Sequence, residues 1–282
     1  MEVGDHDIEL FTTAISSSSG YDFSEYSDKS LKRRLAKVLL EHHVDLDTLI
    51  YKIKSSPDFL EAVIKELTVN TTELFRDPPV WLTLRFDILP AFRQSGSIKI
   101  WHVGCSTGQE VYSMLILLKE MGMDDKSGLY ATDINTDVLD AARKGIYKYR
   151  FNIVYLDNFD KVIKENPFNQ EDYRDVPYSR YFVIDTARDQ ILINPELLSR
   201  PEFKKMDLVT EGNPFPFKYD LIICRNVIIY FNYSLQNKVF RLFYENLNPG
   251  GCLVLGAHET ILGPFAGFFE KKKQVFIKKN II

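Results

Sequence analysis

A glycine turn and two nearby acidic residues are the part of this sequence that points most directly to chemistry. The segment "IWHVGCSTGQEVYS", residues 100–113, is typical of a strand that ends at Gly104, a small polar turn and the start of a helix. Glu110 lies in the first turn of that helix, and Asp133 ends the next apolar strand, in "YATDIN". Ligands of open α/β sheets bind beyond the carboxyl ends of the strands, where glycines admit a ligand close to the backbone. We therefore predict a cofactor site here.

The acidic residues favour a cationic cofactor. The turn "GCSTGQE" matches neither GxGxxG nor GxxxxGK(S/T), and it lacks the lysine that a nucleoside-triphosphate loop needs. Asp133 would accept hydrogen bonds from the two hydroxyl groups of an adenosine ribose. Glu110 would repel a pyrophosphate but suits an ammonium or sulfonium charge, and S-adenosylmethionine carries both. An ordinary strand-to-helix turn, and an N-cap role for Asp133 in the next helix, remain as alternatives.

Alternating strand and helix patterns from Ile98 onward predict the sheet that would position this site. The segments "IKIWHV", "GLYAT", "YDLIICR" and "CLVLG" are typical of strands, with helical patterns between them. We predict a Rossmann-like, doubly wound α/β domain, mostly parallel, over residues 98–282. Residues 150–205 interrupt the alternation, and "RYFVIDTARDQILIN" indicates a β-hairpin insertion there.

The N-terminal part of the chain predicts a small all-helical domain over residues 1–72. Its segments show apolar residues at helical spacing, as in Leu31, Leu35 and Val38, and Ser56 with Pro57 is typical of a helix start. Residues 73–97, which include a proline pair, are predicted to link the helical domain to the sheet.

The bulk properties predict a folded cytoplasmic protein. No apolar run approaches the roughly 18 residues of a membrane span, and the acidic start "MEVGDHDIEL" lacks the layout of a signal peptide. Three cysteines, at no metal-ligand spacing, indicate reduced thiols and no metal site. A net charge of −4 argues against a general nucleic-acid binder. We expect neither nucleic-acid binding nor direct membrane insertion.

A basic strip lies on the predicted helix "SLKRRLAKVLLEHH" and just before it. Its members are Lys29, Lys32, Arg33, Arg34 and Lys37, with no acidic residue among them. Helical spacing places Lys29, Arg33 and Lys37 on one face, opposite the leucines. The strip is either a solvated charged face or a docking surface for an acidic partner. RNA is the less favoured partner, because the strip lacks interleaved aromatic residues.

Four segments carry a resemblance to a known family: "LTVNTTELFRDP", "GCSTGQEVYS", "YATDINTDVLDAARKGIY" and "LIICRNVIIYF". In order and spacing they resemble the motifs of the CheR-type chemotaxis receptor methyltransferases, over about residues 20–260. The resemblance implies an S-adenosylmethionine-dependent O-methyltransferase that esterifies glutamate side chains of a chemoreceptor cytoplasmic domain. It also implies that the linker contributes to the cofactor site and that the helical domain recognises the substrate.

The resemblance assigns roles to particular residues. Arg76 and Tyr230 would be catalytic, with surface ion pairing and plain core packing as their respective alternatives. The basic strip would bind the receptor. Cofactor contacts are implied for Asn70, Thr72, Arg76, Gly104, Glu110, Asp133, Asp207, Leu208, Arg225 and Asn226.

The sequence departs from the family pattern at several positions. "GQEVYS" stands where the family usually has "GEEPYS", and Asp207 where it more often has asparagine. "GAHETI" replaces a His-Ser-Glu run, so that only Glu259 aligns and His258 receives no catalytic role. The hairpin turn has no glycine, which argues against the receptor C-terminal peptide tether that some members use. The alternatives are a methyltransferase acting on RNA or a small molecule, and a non-catalytic cofactor-binding scaffold.

Overall fold

Residues 3–280 are described by the structure, a computed structural model, so the predicted outer domain limits at residues 1 and 282 lie outside the described residues. Four helices form the N-terminal domain and share one apolar core. They are α1 (Asp5–Ser18), α2 (Asp28–His42), α3 (Leu46–Ser55) and α4 (Pro57–Leu67). As predicted, Ser56 caps α4 by accepting a hydrogen bond from the Phe59 N–H, with Pro57 at the first helical position.

The rest of the described chain alternates strands and helices. The strands are β1 (Ile98–Val103), β2 (Ser127–Asp133), β3 (Ile146–Lys148), β4 (Phe182–Asp185), β5 (Gln190–Ile193), β6 (Pro201–Lys205), β7 (Tyr219–Cys224), β8 (Leu247–Leu255), β9 (Phe269–Lys272) and β10 (Val275–Lys278). The helices are α5 (Pro78–Thr83), α6 (Gln109–Glu120), α7 (Thr136–Lys144), α8 (Tyr149–Asn152), α9 (Leu156–Phe159), α10 (Pro195–Leu198) and α11 (Tyr233–Asn246).

Seven strands form the central sheet in the order β6-β2-β1-β7-β8-β10-β9. The first five are parallel, and β10 runs antiparallel to both of its neighbours. The predicted mixed α/β fold, mostly parallel and preceded by a helical domain, is confirmed. Strand β1 lies between β2 and β7, so the strands that follow β1 in the chain are added to the sheet first on one side of β1 and then on the other. This change of side opens a crevice at the carboxyl ends of the strands.

The insertion differs in detail from the predicted hairpin. Strands β4 and β5 form the hairpin, but β3 pairs with β5 and makes it a three-stranded antiparallel sheet. Residues 201–205, expected within the insertion, instead form β6 at the edge of the central sheet. An edge strand is paired on one side only, so it tolerates a leading proline and polar residues, and the segment lacks the apolar run of a central strand.

The segment predicted as a linker is largely helical. The proline pair begins α5, and a π-helical turn (Leu84–Ile88) and a 3-10 turn (Leu89–Phe92) follow. Trp81 and its neighbours pack into the core of the α/β domain. This packing holds the segment against the sheet. No helix among residues 3–280 is long and apolar enough to cross a membrane.

Candidate active site

A cleft opens where the carboxyl ends of β1, β2, β6 and β7 face the helical domain. This cavity, which we call the cleft, has a volume of about 1070 Å³ when its open mouth is included. The structure brings every predicted cofactor and catalytic residue to this one cavity. These are Asn70, Thr72, Arg76, Gly104, Glu110, Asp133, Asp207, Leu208, Arg225, Asn226 and Tyr230.

Asp133 is held at the end of β2 by backbone N–H groups. Its Oδ2 accepts a hydrogen bond from the Ser106 N–H at 2.9 Å, and its Oδ1 accepts one from the Asn135 N–H at 3.0 Å. Burial raises the pKa of Asp133, and these N–H groups oppose the shift. The N-cap of α7 is Asn135, which excludes that role for Asp133. A carboxylate oxygen can accept more than one hydrogen bond, so both oxygens of Asp133 can still accept hydrogen bonds from hydroxyl groups of a ligand.

Glu110 lies in the first turn of α6 with both oxygens engaged. Its Oε1 is 3.1 Å from Nδ1 of His102, and its Oε2 accepts a hydrogen bond from Nη1 of Arg225 at 3.1 Å. Burial alone would raise the pKa of Glu110, but the hydrogen bond from His102 and the charge of Arg225 lower it below its usual value. Glu110 is therefore an ionised, preoriented carboxylate at the edge of the cleft.

Arg225 ties together three segments of the cleft. Its guanidinium is almost fully buried and binds Glu110 on one side. On the other, Nη2 donates to the Arg76 carbonyl at 2.7 Å and to Oδ2 of Asp77 at 2.8 Å. The sequence motifs predict Arg225 as a residue of the site, but they do not predict His102 or Asp77. The only local signal for His102 was a polar residue within the apolar strand "IWHV".

Arg76 reaches the cleft without a counter-charge. The one hydrogen bond of its guanidinium within the described residues is a long one, 3.4 Å from Nη1 to the Thr71 carbonyl oxygen, and the guanidinium forms no ion pair there. The ion-pair alternative therefore has no support in this part of the chain. A cation without a fixed partner in a cleft is suited to an anionic group of a ligand.

The two glycines of the turn serve the chain's own packing. Gly104 has φ +67°, and a Cβ there would lie 2.5 Å from the Val227 side chain. Gly108 has φ +88°, and its Cβ would lie 2.8 Å from Cβ of Ala142. The space in which a Cβ would lie at these glycines is filled by neighbouring residues, so the packing of the chain by itself requires glycine at both positions.

Two other residues of the same turn, Ser106 and Cys105, indicate what kind of ligand fits the cleft. The Ser106 hydroxyl is buried and has no hydrogen-bond partner within the described residues, as expected of a group that a ligand would satisfy. Cys105 also lines the cleft, but burial raises the pKa of its thiol well above the usual value. This thiol is therefore not a nucleophile at neutral pH.

The predicted basic strip divides into two groups. Lys29, Arg33 and Lys37 are exposed on the outer face of α2, as expected. Arg34 instead turns inward, lines the cleft and lies 5.3 Å from the ring centroid of Tyr230. Lys32 pairs with Asp5 of α1. Arg34 is thus a cleft residue, which its helical spacing alone did not indicate.

Fold and cleft together define the class of an S-adenosylmethionine-dependent methyltransferase. Residues 70–276 match the CheR methyltransferase SAM-binding domain, and residues 6–68 match the CheR methyltransferase all-alpha domain. The chain belongs to the CheR methyltransferase family. The family, fold class and cofactor expected from the sequence are confirmed.

Similar proteins cover nearly the whole chain. A putative methyltransferase, Cher3, of Pseudomonas putida is 34% identical over 280 residues, which is 97% of either chain. A chemotaxis protein methyltransferase of Borreliella burgdorferi is 30% identical and covers 86% of this chain and 84% of its own. That of Listeria innocua is 26% identical and covers 92% and 91%.

Proposed function

We propose that the protein transfers the methyl group of S-adenosylmethionine to glutamate side chains of a chemoreceptor cytoplasmic domain. The observation that carries the proposal is a pair of cleft arginines, Arg34 and Arg76, without a carboxylate partner among residues 3–280. Such a pair suits an anionic acceptor. Relatives that align with most of the chain are named chemotaxis protein methyltransferases, which agrees with this acceptor.

A glutamate acceptor explains why the cleft needs no general base. A glutamate carboxylate is ionised at neutral pH and is already a nucleophile. When bound, the cofactor supplies a methyl group on a sulfonium, so that a carboxylate oxygen–carbon bond forms, the carbon–sulfur bond breaks with its electron pair left on sulfur, and no proton moves. The chain's residues have to align the acceptor and exclude water from it. We assign orientation of the acceptor oxygen to Tyr230 and placement of the cofactor or acceptor carboxylate to Arg76.

The test is a transfer assay with methyl-labelled cofactor and a receptor cytoplasmic fragment. Methyl esters release volatile methanol in mild base, whereas N-methyl and RNA 2′-O-methyl products do not. Arg76→Ala is expected to lower turnover or cofactor affinity about 10- to 100-fold, since a hydrogen bond to a charged group contributes about 1.5–3 kcal/mol. Base-stable products, or cofactor binding without transfer, would contradict the proposal. An Arg76→Ala variant that retained both affinity and turnover would remove Arg76 from the site.

The outer face of α2 is the proposed docking surface for the acidic receptor. Lys29 and Arg33 are exposed and have no ion-pair partner within the described residues, and Arg33 directly precedes Arg34 of the cleft. Reversing both charges, Lys29→Glu with Arg33→Glu, is expected to raise the KM for the receptor fragment about tenfold at low salt, because rim charges govern encounter. The cofactor Kd should not change.

The matched control for this prediction is Lys54→Glu with Lys144→Glu. Both lysines are exposed, lie on other helices, and give the same change in net charge. Equal KM values for the two double variants would mean that net charge, and not the α2 face, controls receptor binding.

A further inference from the structure

The turn after β7, residues 225–230, carries two cleft side chains on an irregular backbone. Arg225 begins it and Tyr230 ends it. Asn226 has φ +59°, in the left-handed region, and Val227 has φ −112° and ψ −51°, in the right-handed region. Successive residues of opposite hand direct their N–H groups to one side, which forms an anion-binding concavity.

The anion in this concavity is the carboxylate of Glu259, from the loop after β8. Its Oε2 accepts hydrogen bonds from the N–H groups of Asn226 at 2.8 Å and Gly256 at 2.7 Å. The N–H groups of Val227 and Ile229 also lower the pKa of this carboxylate. The side chain is buried, and it does not line the cleft. Glu259 therefore contacts the turn and not the ligand space.

Gly256 makes this approach possible. A Cβ at Gly256 would lie 2.7 Å from Oε2 of Glu259 and 3.0 Å from the Asn226 nitrogen. Its backbone does not adopt the left-handed region, so the glycine is required by the neighbouring carboxylate and turn rather than by its own φ.

We propose that Glu259 is a positioning residue for methyl transfer: by binding the backbone of the turn after β7, it fixes Arg225 and Tyr230 in the cleft. Burial raises the pKa of Glu259 while the turn's N–H groups lower it, so the turn is what stabilises its charge. Through Arg225 the same turn reaches Glu110 and Asp77. Loss of the carboxylate would thus disturb both the cofactor side and the acceptor side of the cleft.

The first experiment is Glu259→Gln, which keeps the size of the side chain but removes the negative charge that the N–H groups of the turn bind. We expect kcat to fall at least tenfold, because a displacement of about 1 Å costs on the order of a hundredfold in rate. The Kd for S-adenosylhomocysteine should rise severalfold, since Arg225 moves with the turn. The kcat measurement rests on the proposed function, whereas the Kd measurement needs no receptor. A wild-type protein that fails to methylate the receptor fragment would overturn the proposed function and leave the Kd comparison valid.

Two further variants separate positioning from stability. Glu120→Gln alters another buried carboxylate, at the far end of α6, where Arg174, Arg180 and Tyr181 bind it. It should lower Tm while kcat and Kd stay within twofold. Gly256→Ala keeps the charge of Glu259 but displaces it, and should reproduce the losses of Glu259→Gln. If Glu259→Gln folds and keeps kcat and Kd within twofold, the proposal is wrong. If that variant does not fold, unchanged kcat and Kd in Gly256→Ala would refute the proposal.

Discussion

Replacement of Arg225 by methionine is expected to destabilise the protein by about 3–5 kcal/mol and to abolish measurable cofactor binding. The guanidinium is almost fully buried and is shared by Glu110 and Asp77. Methionine fills similar space but leaves these carboxylates without their cation, and the largely buried Glu110 has only limited access to water in its place. Chemical denaturation and cofactor titration of the folded variant would measure the two effects.

Arg174→Met is the matched control for this prediction. Arg174 also binds a buried carboxylate, that of Glu120, but Arg180 and Tyr181 bind the same group and would remain. Its loss should cost about 1 kcal/mol, and cofactor affinity should not change. If Arg225→Met bound cofactor as well as Arg174→Met does, the network around Arg225 would be a stability element only.

The parts of the site that the sequence predicts are those that follow strands. Asp133 ends β2, Arg225 directly follows β7, and Glu110 lies in the first turn of the helix after β1; parallel strands bring such positions to one edge of a sheet. The sheet itself was predictable for the same reason, since buried strands have continuous apolar patterns. Strand β6 was not, because a proline-led edge strand has no such pattern.

The parts that the sequence does not predict are contacts between distant segments. Asp77 lies 148 residues from Arg225, and Glu259 lies 33 residues from Asn226, so no local spacing relates either pair. Arg34 illustrates a third case. Its place in a basic helix was evident, but its direction depends on how α2 packs beside Tyr230. Packing between domains decides such directions, and periodicity along one helix does not.

Asp133→Asn is expected to weaken cofactor binding about a hundredfold with little change in fold. Two hydrogen bonds from ribose hydroxyl groups to a charged carboxylate contribute about 1.5 kcal/mol each at the lower end of their range. Each 1.4 kcal/mol corresponds to a factor of ten in Kd. An asparagine keeps the size of the side chain but faces either the Ser106 N–H or the Asn135 N–H with an NH₂ group, so it also loses one of the bonds that fix the turn.

Asp207→Asn provides the contrast that makes the Asp133 prediction specific. Asp207 is also a buried carboxylate in the cleft, and burial raises its pKa. It accepts the Val209 N–H and the Thr210 hydroxyl, and the family resemblance places an asparagine at this position more often than an aspartate. Removing a buried charge here should leave cofactor affinity within about threefold and should not lower Tm. Equal losses in both variants would mean that the cleft requires its total negative charge. A loss confined to Asp133→Asn would assign the ribose contact to Asp133, because the two substitutions change the charge of the cleft equally and differ only in which hydrogen bonds they remove.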